Sequence, residues 1–169
     1  MIRVEIDSIR VSLTSQQRVV VLREVEGSRY LPIWIGPFEA EAITIELQGL
    51  PRERPWTHDL MKSILDELGA SVSYVLVNDL RGEIFYARLV LELDGVEKEV
   101  DSRSSDAIAL AVRMKVPIYV AEKVIDEVGI LPESEGSASA LTDTEEAENL
   151  AVFREFLDSL DIDESGKDQ

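Results

Sequence analysis

Three short polar clusters hold most of the side chains that could do chemistry. They cover residues 36–41 (Gly-Pro-Phe-Glu-Ala-Glu), 52–59 (Arg-Glu-Arg-Pro-Trp-Thr-His-Asp) and 101–106 (Asp-Ser-Arg-Ser-Ser-Asp). Each cluster stands where the sequence predicts the beginning of a helix. The first turn of a helix exposes free backbone N–H groups and a partial positive charge, so it can hold a phosphate oxygen. The clusters are therefore the candidate sites for binding and catalysis.

Acid–base and metal chemistry in these clusters would depend on one histidine and four carboxylates. His58 is the single histidine of the chain, and its ordinary pKa near neutrality makes it the natural general acid or base. Asp59, its neighbour, could orient a water molecule or bind a hard cation. Asp101 and Asp106, together with Glu39, could form an oxygen site for Mg²⁺ or Mn²⁺, which prefer carboxylate ligands. We therefore expect a catalytic role for the histidine and the aspartates, and a metal-binding role for the last three residues.

Positive and hydroxyl groups in the same clusters could bind the phosphate of a substrate. Arg103 is the candidate for stabilising the negative charge that develops on a phosphate during reaction. Arg52 and Arg54 could make bidentate contacts to phosphate oxygens. Ser104 and Ser105 lie at a predicted helix entrance, where a phosphate could also bind. We expect Arg103 to act in catalysis and the other four residues to bind substrate.

Each of these residues also has a purely structural interpretation. Acidic residues in the first turn of a helix favour the helix dipole, and serines are ordinary N-cap residues. His58 could be a solvated residue beside a helix cap. Trp34 and Trp56 are expected to pack against the protein rather than to stack on bases.

The composition excludes several classes of protein. Lys and Arg total 17 and Asp and Glu total 34, which gives a net charge of -17. A chain this acidic is a poor nonspecific binder of phosphate backbones, so a role in coating nucleic acid is excluded. The chain has no Cys and one His, which excludes thiolate chemistry and zinc sites built from Cys or from several His. The charged start and the lack of a long apolar run predict a cytoplasmic protein with no membrane partner.

The negative charge is concentrated near the C-terminus and suggests three regions. Residues 1–132 have 22 acidic and 15 basic residues, while the remaining 37 residues have 12 acidic and 2 basic ones. We expect a folded domain over 1–132, an acidic flexible linker over 133–143 and an amphipathic acidic helix with a tail over 144–169. The apolar face of that last helix would consist of Leu150, Phe153, Leu157 and Leu160.

The elements that must position the clusters can be predicted from periodicity and turn residues. Strands are predicted over residues 2–13, 18–25, 30–35, 72–77, 84–93, 96–101 and 117–120. Helices are predicted from Gly36-Pro37 to Gly49, from Thr57 to Gly69, over about 105–115 and over about 122–128. The predicted class is therefore α+β, with a mixed β-sheet packed against three main helices, plus the C-terminal amphipathic helix.

The three main helices are expected to bury different faces. The first has an apolar stripe, and the third is apolar nearly all round, which is typical of a buried helix. Thr57 is expected to cap the second helix. The expected apolar stripe of the first helix contains Phe38, Ala42, Ile43, Ile45 and Leu47, and the expected buried face of the second contains Leu60, Met61, Ile64, Leu65 and Leu68.

The three clusters, in this order, resemble those of the bifunctional nuclease family. The segments that carry the resemblance are residues 30–36 (Tyr-Leu-Pro-Ile-Trp-Ile-Gly) with Glu39 and Ala40 after them, residues 54–60, and residues 101–111. The similarity extends over about residues 2–132. Ser104 stands where the family usually has Pro, and the acidic C-terminal segment is similar to the tail of actinobacterial-type members.

The resemblance implies a nuclease that acts on DNA and RNA as transient substrates, with an α+β fold and a homo-oligomeric assembly. It does not supply a set of catalytic residues, so the assignments above depend on the chemistry of the clusters. Hydrolysis of phosphodiester bonds is the leading hypothesis, with or without Mg²⁺ or Mn²⁺. The alternative is a non-catalytic oligomeric module for binding or regulation, in which the acidic tail recruits a partner or a subunit. A small-molecule enzyme that uses the same acidic turn is a third hypothesis.

Overall fold

The protein, in a computed structural model, is described here for residues 1–11 and 17–131. These residues lie within one compact unit, Met1–Pro132. The predicted linker and C-terminal helix, and the end of the first predicted strand, lie outside the described residues. The elements follow the chain in the order β1 (Ile2–Val11), β2 (Arg18–Glu24), β3 (Tyr30–Ile35), α1 (Pro37–Leu47), α2 (Thr57–Glu67), β4 (Ser71–Arg81), β5 (Ile84–Leu93), β6 (Val96–Arg103), α3 (Ser104–Met114), β7 (Ile118–Val120) and α4 (Glu122–Val128).

The strands form a single seven-stranded sheet in the order β3-β2-β1-β7-β4-β5-β6. Strands β4 and β7 pair in parallel and the other neighbours pair antiparallel, so the predicted mixed sheet and the α+β class are confirmed. Asp94 and Gly95 both have positive φ, 54° and 74°. This is the backbone that a two-residue hairpin turn requires, and it joins β5 to β6.

Strand β4 is longer than the sequence pattern indicates, because two irregularities interrupt its alternation. Its register with β5 shifts between Val72 and Tyr74 and again between Val77 and Asp79. A β-bulge places two residues opposite one and moves the following side chains to the other face. The regular pattern therefore stops at residue 77, whereas the strand continues to Arg81.

Helix α3 lies in the middle of the protein, as its nearly uniform apolar surface predicts. It packs against α1 and α2 on one side and against β4, β5 and β6 on the other. Small alanine side chains let these neighbours approach closely. Its fully buried apolar residues are Ala107, Ile108, Ala109, Leu110 and Ala111.

Helices α1 and α2 bury less of their apolar surface than predicted. On α1, Ala42 and Ile43 are buried as expected, whereas Phe38 and Leu47 are exposed. Both helices pack on α3, and α1 also contacts β2, so each outer helix is covered only where it faces these neighbours. On α2, Met61 and Leu65 pack against the core, but Leu60, Ile64 and Leu68 are exposed, which corrects the predicted buried face.

The N-terminus of α2 also differs from the prediction. The N-cap residue is Trp56, not Thr57. The backbone of Trp56 is extended, and its N–H donates to Asp59 Oδ2 at 2.8 Å. The carboxylate of Asp59, at the third position of the helix, therefore reaches back to the N-cap backbone, which is one half of a capping box. In the described part of the chain, no helix is long and apolar enough to cross a membrane.

Candidate active site

Two of the three polar clusters meet where the N-terminal ends of α2 and α3 lie side by side. His58, in the first turn of α2, is 6% exposed. Its Nε2 lies 2.9 Å from Oδ1 of Asp106, in the first turn of α3. The two helices pack against each other, so the chain brings residues 48 positions apart into hydrogen-bond contact. The arrangement is an imidazole–carboxylate pair.

Arg103 connects the remaining cluster, residues 36–41, to the same place. Its Nε donates to Asp106 Oδ2 at 2.6 Å, and its Nη2 donates to Glu39 Oε1 at 2.8 Å. Arg103 is the last residue of β6 and Glu39 lies in the first turn of α1. The hydrogen bonds to Asp106 and Glu39 raise the pKa of Arg103. One charged guanidinium therefore joins the starts of α1 and α3.

Asp106 stays ionised because its partners outweigh its burial. Burial alone raises the pKa of this carboxyl, since the charged form loses solvation. Hydrogen bonds from Arg103 and His58 act in the opposite direction, and the net result is a pKa below the ordinary Asp value. An ionised carboxylate at this position holds the imidazole ring in a fixed orientation.

Glycine at position 36 makes room for the carboxylate that Arg103 contacts. Gly36 is the N-cap residue of α1 and has an extended backbone. A Cβ atom there would lie 2.2 Å from Glu39 Oε2. The Glu39 side chain therefore folds back over Gly36, and in this position it reaches Arg103.

Asp59 has contacts inside the protein on both of its oxygens. Besides the Trp56 N–H, it accepts from Arg113 Nε at 2.8 Å, and Arg52 Nε lies 3.1 Å away. Burial raises its pKa, but the backbone donor at Trp56 and the charge of Arg113 outweigh this and lower the pKa overall. The carboxylate predicted to hold a water or a cation thus joins α2 to α3.

Arg113 is a functional candidate that sequence reasoning missed. Its side chain is 2% exposed. Besides Asp59, it donates to the backbone oxygens of Ala109 at 3.0 Å and Ala42 at 3.1 Å. It therefore ties α1, α2 and α3 together beside the His58–Asp106 pair. A single basic residue near the end of an otherwise apolar helix was the available signal, because a buried charge requires partners.

The two arginines of the second cluster lie in different environments. Arg52 turns inward and donates from Nη2 to Glu46 Oε2 at 2.6 Å, in addition to its contact with Asp59. Its Nη1 is buried without a hydrogen-bond partner among the described residues. Arg54 is exposed. Of this pair, only Arg54 is placed at the surface.

The three predicted metal ligands are not assembled into one cluster. Glu39 and Asp106 both contact Arg103. Asp101 is exposed on β6, opposite Arg88 of β5. Over residues 1–11 and 17–131, no group of three or more His, Cys, Asp or Glu side chains is arranged to hold a metal ion.

An open cleft of about 380 Å³ lies beside Arg103 and the first residues of α3. Strands β3 and β6 are the two outermost strands of the sheet, yet residues from both line this cleft, so the sheet curves until its ends approach each other. Ser104 and Ser105, the first residues of α3, are each 7% exposed and lie in the lining. Among the described residues, the lining consists of Gln17, Arg18, Trp34, Ile35, Gly36, Glu83, Ile84, Phe85, Arg103, Ser104 and Ser105.

The arrangement combines three chemical capacities. The His58–Asp106 pair can hold and move a proton. The Arg103 guanidinium and the N-terminus of α3 can stabilise negative charge. The cleft offers space for a ligand next to Arg103 and the first residues of α3.

Comparison with known proteins gives two kinds of relative. The chain is 43% identical over 161 residues to an uncharacterized protein of Mycobacterium tuberculosis, covering 95% of this chain and 96% of that protein. It is 32% identical over 121 residues to Bifunctional nuclease 2 of rice, Oryza sativa subsp. japonica. It is also 31% identical over 105 residues to Bifunctional nuclease 1 of Arabidopsis thaliana.

The plant relatives are longer than this chain. The match to the rice protein covers 69% of this chain but 37% of the relative, and the match to the Arabidopsis protein covers 60% and 32%. The family model of the bifunctional nuclease domain matches residues 20–133. This range contains all three polar clusters, and on this match the chain belongs to the bifunctional nuclease domain family.

Proposed function

We propose that this protein is a nuclease that hydrolyses phosphodiester bonds in DNA and RNA. The observation that carries the proposal is that Asp106 contacts both His58 and Arg103, and that Arg103 lines the cleft. Hydrolysis of a phosphodiester bond requires proton transfer and stabilisation of negative charge on the phosphate oxygens, and these three side chains offer both. The names of the plant relatives support the same class of reaction.

In this proposal each residue has a distinct role. His58 moves the proton as general acid or base, and Asp106 orients its ring. Arg103 stabilises the negative charge on the phosphate. Ser104 and Ser105 hold phosphate oxygens with their hydroxyls at the N-terminus of α3.

The remaining predicted residues act around this centre. Asp59 is proposed as a positioning residue, because its contacts fix the first turn of α2 and hence His58. Arg54 is the surface residue that would contact the backbone of a longer substrate, whereas Arg52 supports Asp59 from inside.

Use of Mg²⁺ or Mn²⁺ stays a prediction, with Asp101, Asp106 and Glu39 as the oxygen ligands. Two of these carboxylates contact Arg103. A cation would therefore compete with that guanidinium for the same oxygens. Activity measured with and without EDTA tests the requirement directly.

The His58→Ala variant tests the catalytic assignment. We expect activity on single-stranded DNA and on RNA to fall about 100-fold or more, the usual range for loss of a general acid or base. The assay uses purified protein, with circular dichroism to check that the variant is folded. Lys62→Ala, on the exposed surface of the same helix, is the matched control and should retain wild-type rates. Equal activity in wild type and His58→Ala would point to a contaminating nuclease and reject the assignment.

A second candidate function is a non-catalytic oligomeric module for binding or regulation. The observation that favours it is the exposed apolar line of Leu60, Ile64 and Leu68 on α2, since such surfaces mark protein interfaces. On this candidate, the protein forms a homo-oligomer, and His58→Ala leaves the mass of that oligomer unchanged.

Light scattering tests the homo-oligomer. We expect Ile64→Glu to lower the measured mass relative to wild type, because burying an unpaired charge in an interface is costly. Val96→Glu, at an exposed position on β6, is the control and should leave the mass unchanged. A wild-type mass equal to that of one chain would reject self-association.

A further inference from the structure

The guanidinium of Arg103 is held by two carboxylates, although the side chain is 67% exposed. Asp106 accepts hydrogen bonds from its Nε at 2.6 Å and from its Nη2 at 3.1 Å, and Glu39 accepts one from Nη2 at 2.8 Å. Holding an exposed arginine in one place costs rotamer entropy. Carboxylates from two different helices, α3 and α1, therefore fix a group that would otherwise sample many positions.

A second arginine, Arg29, shows what a fully satisfied version of this arrangement looks like. Its Nε and Nη2 both donate to Glu24 and its Nη1 donates to Asp126, so all three nitrogens have partners. At Arg103, Nη1 makes no hydrogen bond to any of the described residues, and this arginine lines the cleft. The carboxylates thus hold Arg103 by Nε and Nη2 and leave Nη1 for another contact.

The backbone gives no reason for a glycine at position 36. Gly36 has a φ of -67° and a ψ of 156°, which is an extended conformation open to every residue type and expected before a proline. The three heavy atoms nearest to a Cβ at this position would all belong to Glu39, namely Oε2 at 2.2 Å, Cδ at 3.1 Å and Oε1 at 3.7 Å. The absence of a side chain therefore leaves space for the Glu39 carboxylate.

Exposure indicates which of the two side chains supports the other. The side chain of Glu39 is 16% exposed, whereas that of Arg103 is 67% exposed. Glu39 is fixed by its surroundings and by its place over Gly36, while Arg103 depends on its hydrogen bonds. The support therefore runs from Glu39 to Arg103.

We propose that Glu39 is a positioning residue that holds the Arg103 guanidinium in place for the reaction, and that Gly36 is glycine to make this contact possible. The inference rests on the proposed nuclease function, in which Arg103 stabilises negative charge on the phosphate. A cation that is already in position stabilises this charge without moving during the reaction. A displacement of about 1 Å costs up to about 100-fold in rate.

Kinetics of Glu39 variants test this role. Glu39→Ala should lower kcat by about 10-fold to 100-fold with little change in KM, because the lost contact acts on charge that develops in the transition state. Glu39→Gln keeps an oxygen that accepts the hydrogen bond from Arg103, so it should keep most of kcat. A metal ligand, or an acid that only favours the helix dipole, loses its charge in both variants. Equal losses in Glu39→Gln and Glu39→Ala would overturn the proposal, as would no loss in either.

Glu41→Ala is the matched control, because Glu41 is an exposed acid near the start of the same helix. This variant should keep the wild-type kcat and KM. Circular dichroism of every variant checks that the protein is folded.

Gly36→Ala tests the role of the missing Cβ. The clash would be with the end of the flexible Glu39 side chain, so the carboxylate swings away from Arg103 and the fold is kept. We expect kcat to fall as far as in Glu39→Ala, with no further loss when the two substitutions are combined. Glu39→Ala should also cause no further loss in an Arg103→Ala background. Additive losses in either double variant would contradict the proposal.

Nitrogen-15 NMR of the arginine side chains observes the contact without an activity assay. The Nε–H signal of Arg103 is identified by its loss in Arg103→Lys. We expect this signal to shift or broaden in Glu39→Ala and in Gly36→Ala, and to stay in place in Glu41→Ala. An unchanged signal in the first two variants would reject the positioning role. If the spectra change as expected and the wild type cleaves no nucleic acid, the proposed nuclease function fails while Glu39 still positions Arg103.

Discussion

Arg103 connects side chains from separate segments of the chain, and its contacts explain how three distant clusters form one site. It contacts Asp106 within its own cluster and Glu39 from α1, and Asp106 in turn contacts His58 from α2. Its charge is partly balanced by the two carboxylates. Under the proposed function, a substrate phosphate shares this guanidinium with them, and that balance favours release of the phosphate after cleavage over tight retention.

The pKa of Asp106 leads to a prediction about acid stability. Its pKa in the folded protein lies below the ordinary value. The carboxylate therefore stabilises the fold above about pH 4, the ordinary Asp pKa, and this contribution is lost as the pH falls through the lowered folded value. We expect Asp106→Asn to have a lower Tm than wild type at pH 7, and a smaller difference at about pH 3.

Thermal unfolding followed by circular dichroism at several pH values measures this difference. Asp66→Asn is the matched control, because Asp66 is a half-exposed carboxylate in a surface ion pair with Lys62. That substitution should change Tm little at any pH. A difference between Asp106→Asn and wild type that stays constant from pH 7 to pH 3 would contradict the proposed source of the stability.

At the scale of elements, the sequence predicts most of the fold but less of the helix packing. Strand alternation and the turn residues identify the strands, and the uniformly apolar α3 is correctly predicted to be buried. The apolar stripes of α1 and α2 are half wrong, because periodicity shows which residues share a face and not what covers that face. Phe38 and Leu60 are apolar but exposed, since each outer helix contacts α3 along a narrow line.

The candidate active site has the same limit: the sequence identifies the residues but not their contacts. The types and positions of His58, Arg103 and Asp106 mark them as candidates, but their contacts depend on how α2 and α3 pack. The inward turn of Arg52 and the role of Arg113 depend on that packing as well. No local sequence pattern shows that both oxygens of the Asp59 carboxylate will form contacts inside the protein.

Arg113 offers a test of how the three helices are held together. Arg113→Met keeps most of the side-chain volume but leaves Asp59 without its main charged partner and two backbone oxygens without donors. Breaking a buried ion pair in this way costs about 3–5 kcal/mol in the free energy of unfolding. Urea unfolding measures the loss, and Lys98→Met, on the exposed strand β6, should cost under about 1 kcal/mol.

The double variant Arg113→Met with Asp59→Asn distinguishes the ion pair from simple packing. Removing the second charge should recover part of the lost stability, because the uncompensated buried carboxylate is then absent. Activity should be lower in the single variant even at temperatures where it is folded, since the first turn of α2 carries His58. Full stability in Arg113→Met would show that the three helices do not depend on this residue.

At the scale of the whole molecule, the charge of -17 restricts how the protein can meet nucleic acid. Each phosphate neutralised by Lys or Arg releases counterions, so the salt dependence of binding counts those contacts. The lining of the cleft includes two arginines, Arg18 and Arg103. For two contacts to a single strand, the slope of log K against log salt concentration is about −1.4.

Titration of a single-stranded oligonucleotide with phosphorothioate linkages, which resist cleavage, at NaCl concentrations from about 50 to 300 mM measures this slope, over the range where counterion release is usually resolved. We expect a shallow slope near the two-contact value, and a shallower one in Arg103→Gln, which removes one contact. Arg88→Gln, on β5 outside the cleft, should leave the slope unchanged. A slope steeper than about −4 would require six or more phosphate contacts, and the binding surface would then be a basic face extending well beyond the cleft. A shallow slope would mean that charge provides little of the affinity of this acidic protein for an oligonucleotide.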